Sequence, residues 1–528
     1  MFLKESNSYF LPEAVRRADK TAAEKFSVPS VILMENAAAN AAREVTAFAP
    51  DALRFVILAG HGNNGGDGFA LARHLAHTDG CKDIVVIKTR DDISYSGDAA
   101  VNLSILRAMQ CNCSKKSSPT LKIYDSHELA DEDITKLIVN ADIVIDALLG
   151  TGASGAPHGQ VARLITLSDA AKKIIAMDIP SGIDPSYGKV YTPHINADMT
   201  VTFLVPKRGM AFCPAKNACG KVVTANIGLP AEYLLTNEDC LQIFCADDAR
   251  KVIPTIRSDI HKTMRGNLLI FSGSERYRGA PLLAARGALR AGCGLVYLAV
   301  PDFIAENVFI ALPEAIVIPI QTNSHGDIDS LSAIKEISAL LPNFTAAAAG
   351  PGCGRSAETG KIFKWLWEEC SKPLLLDADM LWFYAQNADV ITPREDVLIT
   401  PHSAEAARIL GLTAAQVNED RLSAAVRLRE KAGTALLKGR DTLVTSKDKL
   451  RLIGSGSSAL AVPGSGDVLT GVAGAFMASG MEIADAAAAA AFIHGSAGEA
   501  LEERFGRRGS LASEIADEIP LQLKKLGY

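Results

Sequence analysis

The chain has 528 residues, 48% hydrophobic and 22% charged, the balance of a soluble globular protein and not of a disordered or fibrous one. At roughly 150 residues per domain the length predicts two to four domains, two large ones being the simplest division. The net charge is −6 and no long basic run occurs, which argues against nucleic acid or an anionic membrane as the main partner and for small-molecule chemistry.

The first twenty residues, MFLKESNSYFLPEAVRRADK, are punctuated by charges and lack the apolar core of a secretory signal. Strands are predicted at RFVILAG from Arg54, DIVVIK from Asp83, ADIVIDALLG from Ala141, KKIIAMDIP from Lys172 and DMTVTFLV from Asp198. Helix-period stretches fall between them, over residues 69–77 and 99–109. β-Branched runs separated by helices imply βα units and a largely parallel sheet, with functional residues at the carboxyl ends of the strands. The pattern restarts with GNLLIFSG from Gly266, then GLVYLAVP from Gly294, AAAAGPG from Ala346, KPLLLDAD from Lys372, DVLIT from Asp396 and TALLKG from Thr434. Residues 229–258, with Pro230, Pro254 and the polar cluster TNEDC, separate the halves. The boundary is expected near residue 238, giving domains 1–238 and 239–528.

The alanine-rich run over residues 486–493 is too short to span a bilayer and reads as a buried helix. Ten cysteines scattered along the chain fit reduced thiols in the cytoplasm. Neither Cys111/Cys113 nor Cys240/Cys245 has a partner pair at zinc-ligand spacing, so no thiolate metal site is expected.

The segment AGHGNNGGDGFALAR from Ala59 follows a predicted strand and runs into a predicted helix. Gly60, Gly62 and Gly65 satisfy GxGxxG, in which glycines let the backbone approach a phosphate at a positively polarised helix start. Asn63 and Asn64 add side-chain amides. Asp67 places a carboxylate that would repel pyrophosphate and suits sugar hydroxyls instead. A tight turn with a helix-capping Asp is the structural alternative. Two more strand ends follow, VIDALLGTGASGAP from Val144 and MDIPSGID from Met177. Asp146, Asp178, Asn64 and Ser181 can assemble an all-oxygen cation site or serve as caps on backbone amides, and spacing does not choose between these.

In this order, NNGGDG, DALLGTG, DIPSGID and TVTFLVPKRGM resemble the NAD(P)H-hydrate epimerase domain over residues 8–230. The resemblance implies a Rossmann-like fold, a bound potassium ion and epimerisation at C6 of a hydrated nicotinamide ring. It implies that Asn63, Asn64, Gly65, Gly66 and Asp67 hold the hydrate together with Gly150, Thr151, Gly152, Ala153, Ser154, Gly155 and Ala156. Asp178 would bind the hydrate and transfer the proton, and Asn64, Asp146 and Ser181 would ligate potassium.

No GxxxxGK[ST] occurs, which argues against a P-loop. AVPGSGDVLTG from Ala461 instead opens a predicted helix, where Gly464 and Gly466 free the backbone for an anion hole. Asp467 sits at its mouth, and the helix dipole is expected to favour its ionised form, able to accept a proton from a substrate hydroxyl. A glycine turn with a capping Asp is the alternative. With GSERYRGAPLLAARGALRAGCGLV from Gly273, AAAAGPGCG, LLLDADML, TPHSAEAARIL and LLKGRDTLVTS, this element resembles the ribokinase-like fold and, within it, the ADP- or ATP-dependent NAD(P)H-hydrate dehydratase over residues 240–520.

That resemblance implies that Ala280, Gly352, His402 and Asp467 contact the hydrate. Lys438, Gly439, Arg440, Asp441, Thr442 and Gly466 would contact the nucleotide, ADP or ATP with magnesium. The chain departs from the family pattern at Arg278, where proline is usual, at Ser403 and Ala404, where Pro-Gly is usual, and at Ser465, where methionine is common. A lost turn proline loosens a loop by an amount on the order of 1 kcal/mol, which bears on affinity more than on reaction type.

The expected fold is therefore α/β, a Rossmann-like domain followed by a ribokinase-like one. The expected function is bifunctional: epimerising hydrated NADH and NADPH, then dehydrating the S form at the expense of ADP. The chain is expected to be a cytoplasmic homo-oligomer that binds small-molecule substrates, hydrated NADH or NADPH and ADP, and neither nucleic acid nor a membrane. A ribokinase-like vitamin-precursor kinase fused to a nucleotide-binding domain is the alternative. A dehydrogenase is disfavoured by the lack of a His or Tyr constellation.

Overall fold

The computed structural model describes residues 8–78, 80–112, 120–235, 240–255 and 261–528. Cys113 and the expected boundary at residue 238 lie outside them. The chain divides into two units, Met1–Leu241 and Gln242–Tyr528.

In the first unit, β1 (Arg54–Ala59), β2 (Asp83–Lys88), β3 (Thr120–Asp125), β4 (Ile143–Ala147), β5 (Ile174–Met177), β6 (Met199–Phe203) and β7 (Lys221–Ala225) form one sheet in the order β3-β2-β1-β4-β5-β6-β7. Every pairing is parallel. Both faces of the centre are covered. Ile57, Ile145 and Ile175 pack under Phe69 and Leu71 of the helix Asn63–Leu75, and Val56, Leu58 and Val144 pack against Ile134 and Leu164. Double burial is why these strands read as unbroken apolar runs. The edge strands β3 and β7, TLKIYD and KVVTA, keep most side chains partly exposed, and no apolar run marks them in the sequence. Strand order reverses between β1 and β4, and a crevice at such a switch point is where open α/β sheets bind ligands.

In the second unit, β8 (Cys240–Phe244), β9 (Asn267–Phe271), β10 (Leu295–Pro301), β11 (Ile316–Ile320), β12 (Ala346–Ala349), β13 (Leu374–Leu376), β14 (Val397–Ile399), β15 (Thr434–Leu437), β16 (Leu443–Thr445) and β17 (Leu450–Ile453) follow the order β8-β17-β16-β15-β14-β13-β12-β9-β10-β11. Only the hairpin pairings of β16 with its two neighbours are antiparallel. Alanine is the structural device here. Ala486–Ala491 lie buried in the helix Ile483–Phe505, which packs on the strands Val397–Ile399 and Thr434–Leu437, while the all-alanine strand Ala346–Ala349 packs against the helix Ser465–Ala478. The helices Ala280–Arg290 and Ser465–Ala478 meet backbone to backbone. A Cβ on Gly471 would lie 1.9 Å from the Ala284 carbonyl oxygen, and one on Gly287 would lie 2.5 Å from that of Val468. This contact leaves no room for side chains between the helices and fixes the start of Ser465–Ala478. Among the described residues no helix is long and apolar enough to cross a membrane, and the described cysteines are free.

Candidate active sites

The first site lies at the β1–β4 switch. Gly60 donates its N–H to the Ala147 carbonyl, and the helix Asn63–Leu75 begins three residues later. Most of the glycines here are used up in packing. A Cβ on Gly65 would lie 1.9 Å from the Gly60 carbonyl oxygen, and one on Gly68 would lie 2.7 Å from the Ala147 Cβ. Gly66 faces Ala99 and Met34. Of the fingerprint glycines, Gly62 alone faces open space, so close helix–strand packing explains the motif better than a phosphate contact does.

Asn64 is buried. Its amide donates to the Leu149 carbonyl at 2.8 Å, and its Oδ1 is buried with no hydrogen-bond partner. Asp146 is fully buried and clamps two loops. It accepts from the Leu148 and Ser181 N–H groups and from the Ser181 hydroxyl at 2.7 Å, while the Ser181 oxygen accepts from Leu149 N–H. Burial pushes Asp146 up to about 6 against those bonds. Asp146 and Ser181 thus cap backbone amides, and Asn64 Oδ1 is the one buried oxygen of the set without a partner. This oxygen-only donor set suits a hard cation.

Asp178 stands at φ +66°, a left-handed conformation that aims its carboxylate at the loop after β4. One oxygen accepts from Thr151 N–H at 3.3 Å and the other pairs with Lys207. A Cβ on Gly150 would lie 3.4 Å from Asp178 and 3.2 Å from the Asn64 Cβ, so glycine leaves the carboxylate accessible. Lys207 is fully buried and also donates to Thr202 and to the Phe203 carbonyl. Its ammonium was not singled out from the sequence, although the lysine stands inside a recognised motif. Thr151 and Ala153 are half-buried, and Gly152, Ser154, Gly155 and Ala156 are exposed. Asn63 is exposed as well.

Asp67 differs from the reading of an ionised, sugar-facing carboxylate. It is buried, and burial together with Asp178, Asp19 and Asp98 raises it well above the carboxylate range despite Lys207, which favours the neutral acid. Asp19 keeps solvent access, yet the protein mass around it pushes it up to about 6.

The second site gathers at the start of the helix Ser465–Ala478. Gly464, at φ +85°, caps the helix, and Asp467 stands in its first turn. The dipole does not decide its charge. Desolvation, then Asp377 and Asp379, raise Asp467 to about 7 against the pull of Lys438, which corrects the expected ionised form. Lys438 bonds the buried Asp377 at 2.6 Å, and Asp377 also accepts from Thr470 at 2.7 Å. A Cβ on Gly466 would lie 3.4 Å from the Lys438 ammonium. Burial lowers the Lys438 pKa, but Asp377 and Glu405 outweigh it and raise the net value.

Ala280 and Gly352 meet. A Cβ on Gly352, at φ +60°, would lie 3.1 Å from that of Ala280 and 2.5 Å from that of Tyr277. The adjoining cleft is lined by Ser274–Tyr277, Cys353–Ser356 and Asp379, among others. His402 is both cap and exposed side chain. Its Nδ1 accepts from the Ala404 N–H at 3.1 Å, which puts the ring proton on Nε2, and burial then Lys438 lower its pKa. Glu405 returns the cap by accepting from His402 N–H, and burial lifts it to about 7. Gly439, Arg440, Asp441 and Thr442 form the turn after β15, where Asp441 stands at φ +60° and Thr442 donates to the Gly439 carbonyl.

The departures have partners. Ser465 contacts the buried His494, which burial lowers to about 4; Ser403 bonds Asn418 and Arg421; Arg278 donates to the Glu275 carbonyl and lies over Phe303. Asp377, Thr470, Asp379 and Arg421 carry contacts that no local pattern in the sequence announces.

Two α/β units, each with a buried carboxylate at the strand ends and the second with a glycine-opened helix start in place of a P-loop, define a two-domain enzyme, Rossmann-like then ribokinase-like. A family model described as YjeF-related protein N-terminus matches residues 30–209, and one described as NAD(P)H-hydrate dehydratase matches residues 268–521. The protein named bifunctional NAD(P)H-hydrate repair enzyme Nnr of Thermanaerovibrio acidaminovorans is 36% identical, over 98% of each chain. That of Escherichia coli is 33% identical, over 95% of this chain and 91% of its own. The ADP/ATP-dependent NAD(P)H-hydrate dehydratase of Bacillus subtilis, crystallised with ATP and Mg2+, is 24% identical with a TM-score of 0.46, covering 54% of this chain and 99% of that one. The chain belongs to the family of bifunctional NAD(P)H-hydrate repair enzymes.

Proposed function

We propose that residues 1–238 form the epimerase and residues 239–528 the dehydratase, each working from one carboxylate. In the first, Asp178 moves a proton onto or off the C6 hydroxyl of the hydrated nicotinamide, while the ring nitrogen stabilises the cationic carbon. Lys207 pairs with Asp178 and holds its carboxylate in place. Asn63 to Asp67 and the 150–156 loop bind the hydrate. Asn64, Asp146 and Ser181 would hold potassium, a reading supported by the unpartnered Asn64 Oδ1; the ion supplies positive charge beside the buried Asp146.

In the second domain, Asp467 accepts the proton of the C6 hydroxyl of the S form as that oxygen takes the phosphoryl group. Amides at the helix start and the Lys438 ammonium stabilise the transferred charge. The ring nitrogen then expels phosphate and NAD(P)H is restored. Ala280, Gly352 and His402 contact the hydrate; Lys438 to Thr442 and Gly466 contact the nucleotide. ADP is the donor, carried with magnesium, and AMP and phosphate are the products. One observation carries the reading: a carboxyl titrating at about 7, beside an ammonium at a glycine-opened helix start, is matched to general-base work at neutral pH. Free thiols support a cytoplasmic setting, and exposed Phe309 and Ile310 support a homo-oligomer.

The test is an R/S mixture of hydrated NADH with potassium, magnesium and either ADP or ATP, followed chromatographically under conditions where spontaneous epimerisation is slow. Recovery of NADH from both epimers with ADP is expected. Consumption of the S form alone would remove the epimerase assignment, and a persisting phosphorylated product would favour a small-molecule kinase.

A further inference from the structure

Arg421 is the first residue of the helix Arg421–Ala432 and is buried, with 9% of its surface exposed. All five of its N–H donors are engaged. Nε donates to the Asp441 carbonyl at 3.3 Å, and Nη2 donates to the carbonyls of Leu437 and Lys438, each at 3.1 Å. Nη1 donates to the Ser403 hydroxyl at 3.1 Å and to Asn418 Oδ1 at 3.2 Å. Ser403 in turn donates to Asn418 at 2.6 Å. A Cβ on Gly439, at φ +135°, would lie 3.4 Å from both terminal nitrogens, so the turn passes directly over the guanidinium.

Every one of these acceptors is a neutral oxygen. Burial pulls the guanidinium pKa down and the nearby Asp441 carboxylate offsets this only in part, so a desolvation cost attends the cation. What it does is join two segments. Three bonds hold the backbone from Leu437 to Asp441, which carries the Lys438 ammonium. The others reach Ser403, next to His402, and Asn418. The Lys438 turn and the His402 turn are thus bonded to different nitrogens of one planar fork, whose geometry a lysine cannot reproduce. Ser403, which stands where the family pattern has proline, supplies the hydroxyl on the His402 side.

We propose that Arg421 is a positioning residue for the phosphoryl-transfer step, fixing the 438–442 nucleotide turn relative to the His402 turn, with Ser403 as its anchor. The inference rests on the dehydratase reading above. It concerns geometry alone, since all five Arg421 donors are spent on protein oxygens.

The test uses the full chain as wild type, Arg421→Lys and Ser403→Ala. ADP and ATP binding is measured by calorimetry, dehydration kinetics with nucleotide and hydrate varied in turn, tryptophan fluorescence as the control on folding of this unit, which holds all three tryptophans, and epimerisation as the control on the other site. Arg421→Lys is expected to raise the nucleotide Kd and KM about tenfold and to lower kcat, because a misplaced reactant loses rate steeply. Ser403→Ala, which leaves the guanidinium in place, should raise them a few-fold, and epimerisation should be unchanged in both. Nucleotide Kd and KM within twofold of wild type in both variants would overturn the proposal. So would losses that merely track the folded fraction. Wild type that binds nucleotide yet forms no NADH would count against the dehydratase reading alone, since the Kd comparison still judges Arg421.

Discussion

Replacing Asp467 by Asn separates what this carboxyl does for the reaction from what it does to the fold. In the folded chain it titrates at about 7 against an ordinary 3.8. That gap amounts to on the order of 4 kcal/mol once the group is ionised in both folded and unfolded chains. The folded state holds the proton more tightly, so this stability is fully present below about 3.8 and is lost as pH rises through about 7. At pH 8 the wild type carries an ionised Asp467 facing Asp377 and Asp379, and Asn removes that repulsion without changing shape. All three tryptophans, Trp365, Trp367 and Trp382, lie in the second unit, so their fluorescence during denaturant unfolding reports this unit alone. Wild type should lose stability relative to Asp467→Asn between pH 5 and 8, ending less stable than the variant. Dehydration should vanish while epimerisation persists, and wild-type dehydration should rise with pH through about 7. A stability difference flat across that range, or dehydration surviving in the variant, would refute the reasoning.

Lys207→Met leaves the Asp178 carboxylate buried without its cation and should cost the first unit about 3–5 kcal/mol by circular dichroism, abolish epimerisation and spare dehydration. Gly65→Ala puts a methyl 1.9 Å from a backbone oxygen and should destabilise by about 1–3 kcal/mol, since the helix must move off β1. Gly62→Ala, with open space around it, should stay within about 0.5 kcal/mol of wild type in the same melt.

Strands buried on both faces, such as β1, β4 and β9, are legible because each is a continuous apolar run. The edge strand β11, IVIPI, is apolar but interrupted by Pro319, which weakens a strand pattern. The edge strands β3 and β7 and the short hairpin strands β16 and β17 are not legible as apolar runs. They have one neighbour fewer or only a few residues, and their pattern is diluted by polar side chains. The site divides in the same way. Asp467 announces itself because a loop that must turn sharply and leave a carboxylate open carries its glycines, Gly464 and Gly466, next to that carboxylate, whereas Asp178 has no glycine nearer than Gly182 and stands out only through the resemblance of DIPSGID. The charge that Asp467 and Asp67 hold is not local. Asp467 is set by Asp377 and Asp379, and Asp67 by Asp178 and Asp19, groups brought in by other strands and helices.

The amino-acid sequence by itself determined the two α/β halves, the glycine-rich turns and the carboxylates they present, since all of these follow from burial period and local backbone freedom. Only the tertiary structure decided which partners hold them. Lys207 pairs with Asp178 across 29 residues, Lys438 with Asp377 across 61, and Thr470 with Asp377 across 93. Contacts of that separation leave no periodicity in the chain, because parallel strands are joined through helices and the residues at their ends meet only when the sheet is assembled.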